Sequence, residues 1–291
     1  MKKNKINRIL ICDGGGMQGS FMVGIFKYFN KYGIKPDYFD YIVGTSVGAY
    51  DACYWATGQF EEGLRIWEKH LPNGFIKWNK FIPKVYISYL KKIITKLEPL
   101  DIKKLYTLKT KIYMPLSNPK TQRANFVCLN KTKEPINALL AGAAMPFFSH
   151  YKIFKNKRYY DGGLISQPSL DFAKKLKSKE IWILLTYPKG YRMSKWRYAL
   201  VAKLLSKNSS EKKLLENCPD KENPILEEID KSKKYIIIRP EKTLPVNWLN
   251  NDSKKIIKSI SLGEKMAKNF FASKRWKENG LEDFKKYKKC Q

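Results

Sequence analysis

A five-residue turn, Gly44-Thr45-Ser46-Val47-Gly48, sits between an apolar strand signal at 39–43 and a helical pattern running through Trp55. A serine held between two glycines at a strand-to-helix junction constrains the fold more than any other feature of this chain. The backbone must reverse sharply there, and glycine two places before and after the serine removes side chains that would collide across the turn. The serine then stands at a helix N-terminus, where free N–H groups and the helix dipole favour a developing anion. Taken alone, the pattern is either a nucleophile turn or an ordinary glycine-flanked junction, and the rest of the chain must decide.

The surrounding sequence alternates strand and helix signals from its start. An apolar run at 8–12 ends in Asp13-Gly14-Gly15-Gly16-Met17-Gln18-Gly19, and 18–31 carries Phe21, Met22, Ile25, Phe26 and Phe29 at helical spacing, closed by Gly33. Helices are predicted at 60–69 and 134–143, strands at 111–115, 124–129, 181–185 and 235–238, and a hairpin at 151–160 around Asn156. This order predicts a layered α/β fold with a mostly parallel sheet. The division is a core over 8–185 and a continuation of the same domain over 186–291, which holds a surface excursion at 190–232, a strand at 235–239 and basic terminal helices.

The charge is strongly one-sided, with 57 Lys and Arg against 26 Asp and Glu, a net +31. Only eight of the basic residues are arginine, the side chain that reads base edges and forks phosphates, so nucleic acid is not expected as a partner. An anionic membrane surface and a merely lysine-rich, solvated exterior both fit. Within 75–111, ten lysines face two acids, and the apolar residues Val85, Tyr86, Tyr89, Leu90, Ile93, Ile94 and Leu97 form one stripe of a helix expected to start near Pro83. Such a basic helical insertion either lies on a membrane or turns its stripe to the core. No run reaches the roughly 18 apolar residues of a transmembrane helix, and the short apolar stretch after the basic N-terminus reads as a strand, which points to the cytoplasm with at most peripheral contact at the inner face of the membrane. Five widely spaced cysteines without a C-x-x-C pair predict reduced thiols and neither a disulfide framework nor a metal site.

Two further motifs bear on chemistry. The glycine run at 14–19 also fits the Gly-x-Gly-x-x-Gly dinucleotide pattern, but the acids at the right distance, Asp37 and Asp40, come before the second strand, and its end holds Gly44-Thr45-Ser46 instead. The better reading is a cradle of backbone N–H groups for an oxyanion. The third motif is Asp161-Gly162-Gly163. The only histidines are His70 and His150, and neither follows Asp161 as a hydrolase triad of the usual chain order requires. A carboxylate held against the serine hydroxyl and partly desolvated can act as the base in its place.

These three motifs, in this order, resemble the patatin-like phospholipase family. The resemblance runs in register from about residue 8 to 185 and includes ILICDGGGMQGSFMVGIFKYF, DYIVGTSVGAYDACYWATGQ, the Ala141–Pro146 segment, and Pro168 after the aspartate. Ile238-Arg239-Pro240 and the helix around Leu262-Gly263-Glu264 are similar to the family's bacterial members. The resemblance implies a three-layer α/β/α sandwich and hydrolysis of lipid acyl esters without metal or cofactor. It implies Ser46 as nucleophile, Asp161 as proton acceptor and Gly14, Gly15 and Gly16 as oxyanion donors, with Gly19, Gly44, Gly48, Gly162 and Gly163 supporting the turns. The family usually has Arg or Lys where this chain has Gln18, which removes a cation from beside the glycine loop but no backbone donor. A catalytically weak membrane- or partner-binding member of the fold, and a lipid acyltransferase, are the alternatives to a hydrolase.

Overall fold

The structure is a computed structural model that describes residues 7–79 and 82–273. Ten strands are present among the described residues: β1 (Arg8–Cys12), β2 (Tyr41–Gly44), β3 (Ile76–Asn79), β4 (Ile82–Val85), β5 (Lys111–Asn118), β6 (Arg123–Cys128), β7 (Lys152–Phe154), β8 (Lys157–Asp161), β9 (Glu180–Leu184) and β10 (Ile236–Ile238). Eight of them make one sheet in the order β10-β9-β1-β2-β5-β8-β7, with β6 also pairing β5; β3 and β4 form a separate hairpin. Neighbours from β10 to β5 run parallel, whereas β6 and β8 run antiparallel to β5, and β7 antiparallel to β8. The expected parallel sheet therefore turns mixed at one side, where the short connections after β5 and β7 permit only antiparallel return.

Alternation along β1 divides the core into two layers. Leu10 and Cys12 face a cluster with Phe21, Phe26 and Phe29 of the helix Ser20–Lys31 and Ile256 and Ile260 of the helix Ser253–Ala272. Ile9 and Ile11 face the other way, onto Leu170, Ala173 and Ile229. Both faces of a mostly parallel sheet are thus covered, which explains the unbroken apolar runs that mark these strands. This is the three-layer α/β/α sandwich.

The two helices on the first face cross at glycine. A Cβ on Gly24 would stand 1.9 Å from the Ile260 carbonyl oxygen, and one on Gly263 would stand 1.9 Å from the Phe21 carbonyl oxygen. The crossing closes backbone to backbone, and Lys27 pairs with Glu264 beside it at 3.0 Å. The C-terminal helix is therefore part of the main core, and β10 extends the same sheet. Expected helix beyond residue 273 lies outside the described residues.

Several boundaries differ from the sequence expectation. Pro83 belongs to β4, and the basic helix starts only at Ile87. Its residues Ile87, Leu90, Ile93 and Ile94 are buried, so the stripe turns to the core. The strand expected from residue 39 begins at Tyr41, because Pro36–Tyr38 forms a 3-10 turn. At the tip of the β7–β8 hairpin, Lys155 and Asn156 both take positive φ (46° and 61°), as a two-residue turn matching strand twist demands. The surface excursion expected at 190–232 is helical: Lys195–Leu205, Ser209–Glu216 and Cys218–Lys231. The first of these is apolar on two faces, which erases the single stripe that sequence periodicity detects.

Alanine ordinarily favours a helix interior over glycine by about 1 kcal/mol. At Gly263 the overlap with the Phe21 carbonyl outweighs that gain, so Gly263→Ala is expected to destabilise the protein by about 1–3 kcal/mol; thermal unfolding of the two chains measures it.

Candidate active site

Parallel register brings the first two motifs together. Cys12 lies opposite Gly44, so the turns that follow β1 and β2 leave the same edge of the sheet. Thr45 N–H donates to the Cys12 carbonyl at 3.0 Å. Ser46 then takes φ 53° and ψ −129°, a conformation that non-glycine residues adopt only under constraint, at a cost of order 1–3 kcal/mol. The flanking glycines supply that constraint. A Cβ on Gly44 would lie 2.4 Å from the Ala49 backbone, and one on Gly48 would lie 2.4 Å from the Asp13 carbonyl oxygen. Ser46 caps the helix Val47–Ala56, with its side chain at the helix N-terminus and almost fully buried.

Asp161 reaches the same place from the other side of the sheet. β2 pairs β5 and β5 pairs β8, with Leu116 opposite Asp161 at the end of the strand. Asp161 N–H donates to the Ala144 carbonyl at 2.7 Å, and one carboxylate oxygen, Oδ1, accepts the Gly163 N–H at 2.8 Å. A Cβ on Gly162 would lie 2.2 Å from the Pro115 carbonyl oxygen, so only glycine lets the turn press against β5. The carboxyl is buried, and desolvation pushes its pKa up to about 6 against the opposing pull of the Ser46 hydroxyl and the Gly163 N–H. Ser46 and Asp161 share the floor of one cavity.

The glycine loop is pinned from beneath. The Asp13 carboxylate accepts both the Thr186 N–H (3.2 Å) and the Thr186 hydroxyl (3.1 Å), and the same hydroxyl lies 3.0 Å from the Gly14 carbonyl. Burial raises Asp13 to about 6 as well, with the Thr186 and Gly14 N–H groups pulling the other way. Gly15 and Gly16 take φ 120° and 56° and line the cavity, and Gly16 opens a 3-10 turn whose first N–H has no acceptor within the turn. Gly14 is not part of the cavity lining; a Cβ there would meet the Gln167 carboxamide oxygen at 2.7 Å. Gly19 abuts Val47 and Trp67, and Gly163 abuts the same Gln167 oxygen. Gln18 is buried and also lines the cavity, so the place of the family's usual cation faces the site with a neutral amide.

The cavity holds about 470 Å³ and is mostly apolar. Its walls come from distant parts of the chain: Trp67, Leu90 and Ile94 on one side, Tyr198 and Val201 on another, and Trp248 at the rim. One carboxyl intrudes among them. Asp51 accepts the Trp67 indole N–H at 2.7 Å, while its other oxygen, Oδ2, has no hydrogen-bond partner among the described residues. Burial drives its pKa well above the usual carboxylate range. Neither histidine reaches the cavity: His70 lies 3.3 Å from Glu98, and His150 is exposed. Asp40 accepts the Arg8 N–H at the opposite end of β1, far from the glycine loop, which removes the basis of a dinucleotide site. No cluster of metal-ligating side chains occurs among the described residues.

Sequence reasoning passed over Thr186, Gln167 and the Asp51–Trp67 pair. The lone acid inside the apolar helix VGAYDACYWA was the available signal for Asp51, since a single carboxylate in such a setting is buried or paired. Thr186 and Gln167 carry no local signature, because their contacts span 173 and 153 positions of chain.

The patatin-like phospholipase family matches this chain over residues 10–174, and the chain belongs to that family. This sets its general class as a lipid hydrolase. The crystal structure of VipD from Legionella pneumophila is similar to it, with a TM-score of 0.50 at 12% identity over 92% of this chain and 67% of that one, a likeness of fold. No curated protein matches.

The gap between 3.8 and about 6 for Asp161 amounts to about 3 kcal/mol against its charged form. A raised carboxyl pKa weakens the fold as pH climbs through that interval. Asp161→Asn is therefore expected to raise stability by up to about 3 kcal/mol at pH 8, and the gain should fade as pH falls from about 6 toward 4. Denaturant unfolding across that range reads both arms.

Proposed function

We propose that the protein is a serine acyl-ester hydrolase of the phospholipase A or lysophospholipase type, working through a Ser46–Asp161 dyad. The observation that carries this reading is the meeting of a positive-φ serine and a desolvated aspartate on the floor of an apolar cavity. An apolar cavity with a few convergent polar groups suits an acyl chain whose ester lies at the polar end. With Asp161 ionised, its carboxylate takes the proton as Ser46 Oγ attacks the ester carbonyl. The raised proton affinity that burial confers brings the base closer to the operating pH. Negative charge gathers on the former carbonyl oxygen, where the Gly15 and Gly16 N–H groups and the N-terminus of the Val47–Ala56 helix supply stabilisation. The proton passes to the departing alcohol or lysolipid. Water, deprotonated by the same aspartate, then releases the acyl group from Ser46. Gly14 is left out of the donor set because it is buried, does not line the cavity, and turns its N–H to the Asp13 carboxylate.

The reading carries a membrane component. No helix among the described residues is long and apolar enough to cross a bilayer. A substrate embedded in one would bring the enzyme to an anionic surface, which a net charge of +31 favours.

Ser46→Ala and Asp161→Asn are each expected to lower turnover of a short-chain aryl ester by at least about 1,000-fold while both chains stay folded, and a fluorophosphonate should label the native chain at Ser46 alone. Near-normal turnover by either variant refutes the dyad.

Because the base must be ionised, kcat/KM should fall as pH drops through about 6, the Asp161 value. A profile flat down to pH 5 would show that this carboxyl does not accept the proton.

A further inference from the structure

The helix Lys195–Leu205 has two apolar faces. Tyr198, Val201 and Leu205 point one way and line the cavity. Trp196, Leu200 and Leu204, spaced four apart on the opposite face, are 66%, 47% and 68% exposed. Exposed apolar residues scattered singly are ordinary, but three in line on one helix are a surface with a use. The segment is basic: residues 186–210 hold Lys189, Arg192, Lys195, Arg197, Lys203 and Lys207 and no acid, with Lys195 paired to Asp220 and Arg192 to Asp230. Lys203 falls on the same face as the apolar line and Lys207 follows just past the helix end; both are exposed, and neither ammonium meets a carboxylate among the described residues. The Arg197 guanidinium stacks over the Trp196 ring at 5.3 Å.

We propose that this outer face docks on an anionic lipid bilayer. A tryptophan and two leucines flanked by lysines match what an interface-bound helix needs, with apolar groups entering the acyl boundary and long cationic stems reaching the headgroups. Charge complementarity selects a bilayer with anionic lipid over a neutral one. The basic segment at 75–111, a candidate for the same duty, has its apolar stripe buried in the core, whereas this helix keeps one free. Its position gives the docking a consequence that rests on the hydrolase reading. The inner face of the same helix is a wall of the cavity, so a bilayer held against the outer face lies one helix diameter from the acyl site.

The test uses the full chain with Ser46→Ala, so that vesicles survive the measurement. Flotation is run with phosphatidylcholine vesicles, with and without phosphatidylglycerol, at low and high salt. The parent should float with the anionic vesicles, less so at high salt. Trp196→Ser with Leu200→Ser and Leu204→Ser should cut partition on the order of 100-fold. Lys203→Glu with Lys207→Glu should remove the preference for phosphatidylglycerol, and Ile257→Ser, an exposed site on the C-terminal helix, should change nothing. Circular dichroism confirms that each variant is folded. The proposal fails if the parent does not float, if the triple variant floats as well as the parent, or if that variant alters only the oligomeric state in gel filtration, which would make the face a contact between copies. Aryl-ester hydrolysis by chains that keep Ser46 separates the two readings: flotation without turnover overturns the hydrolase and leaves the docking surface intact, and turnover without flotation does the reverse.

Discussion

The contact between Gly48 and the end of β1 sets the geometry of the sheet edge that carries Ser46 and the glycine loop. With the Cys12 and Asp13 carbonyl oxygens 2.6 and 2.4 Å from where a Cβ would stand, the elbow helix seats directly on the backbone of the neighbouring turn. Thr45 N–H is bonded to Cys12, Asp13 N–H to Leu184, and Thr186 to the Asp13 carboxylate. The serine turn, the glycine loop and the end of β9 are thus all referenced to one short strand. Small displacements there would be transmitted to Ser46 and the glycine loop, because close-packed backbone has no soft direction in which to absorb them.

The carboxyls around the cavity are held in an environment that disfavours their charge. Asp13, Asp51 and Asp161 are all buried and all shifted upward, chiefly by desolvation. Such groups support the fold most at acid pH and withdraw that support as pH rises through the folded value. Glu98 behaves in the opposite sense, since its hydrogen bonds with Arg65 hold its carboxyl low and it contributes above the usual carboxylate range. The difference is one of role. Glu98 sits in a partly solvated pairing, where a formed ion pair is inexpensive. Asp161 is buried, where desolvation outweighs its hydrogen bonds and makes the charged carboxylate costly to the fold.

The large positive charge is spread along the chain, yet its segments differ in what they do with their apolar residues. The helix after Pro83 buries its stripe and leaves lysines to solvent, an ordinary surface helix. The helix at Lys195–Leu205 lies over a cavity, so its inner face has apolar company without using up the outer one. The same residue types thus acquire different roles from what lies beneath them.

Local rules made much of this protein legible. The elements around Ser46 follow from apolar period, from glycine placement and from the hairpin turn at Lys155-Asn156, all of which act over a few residues. The layered α/β class follows from their order. Legibility ended at the 190–232 segment, where a helix apolar on two faces shows no period, and at Pro83, where the hairpin's pairing overrode a helix-start signal. What the sequence by itself determined was the set of candidate side chains and the tightness of the turns that carry them, because Gly44, Gly48 and Gly162 lack the Cβ that would collide with neighbouring backbone. Which groups meet was decided only in three dimensions. Strand order β2-β5-β8 carries Asp161 to Ser46, Thr186 closes on Asp13 across 173 positions, and cavity walls converge from residues far apart. Those contacts depend on how whole layers stack, and no stretch of chain short enough to read contains both partners.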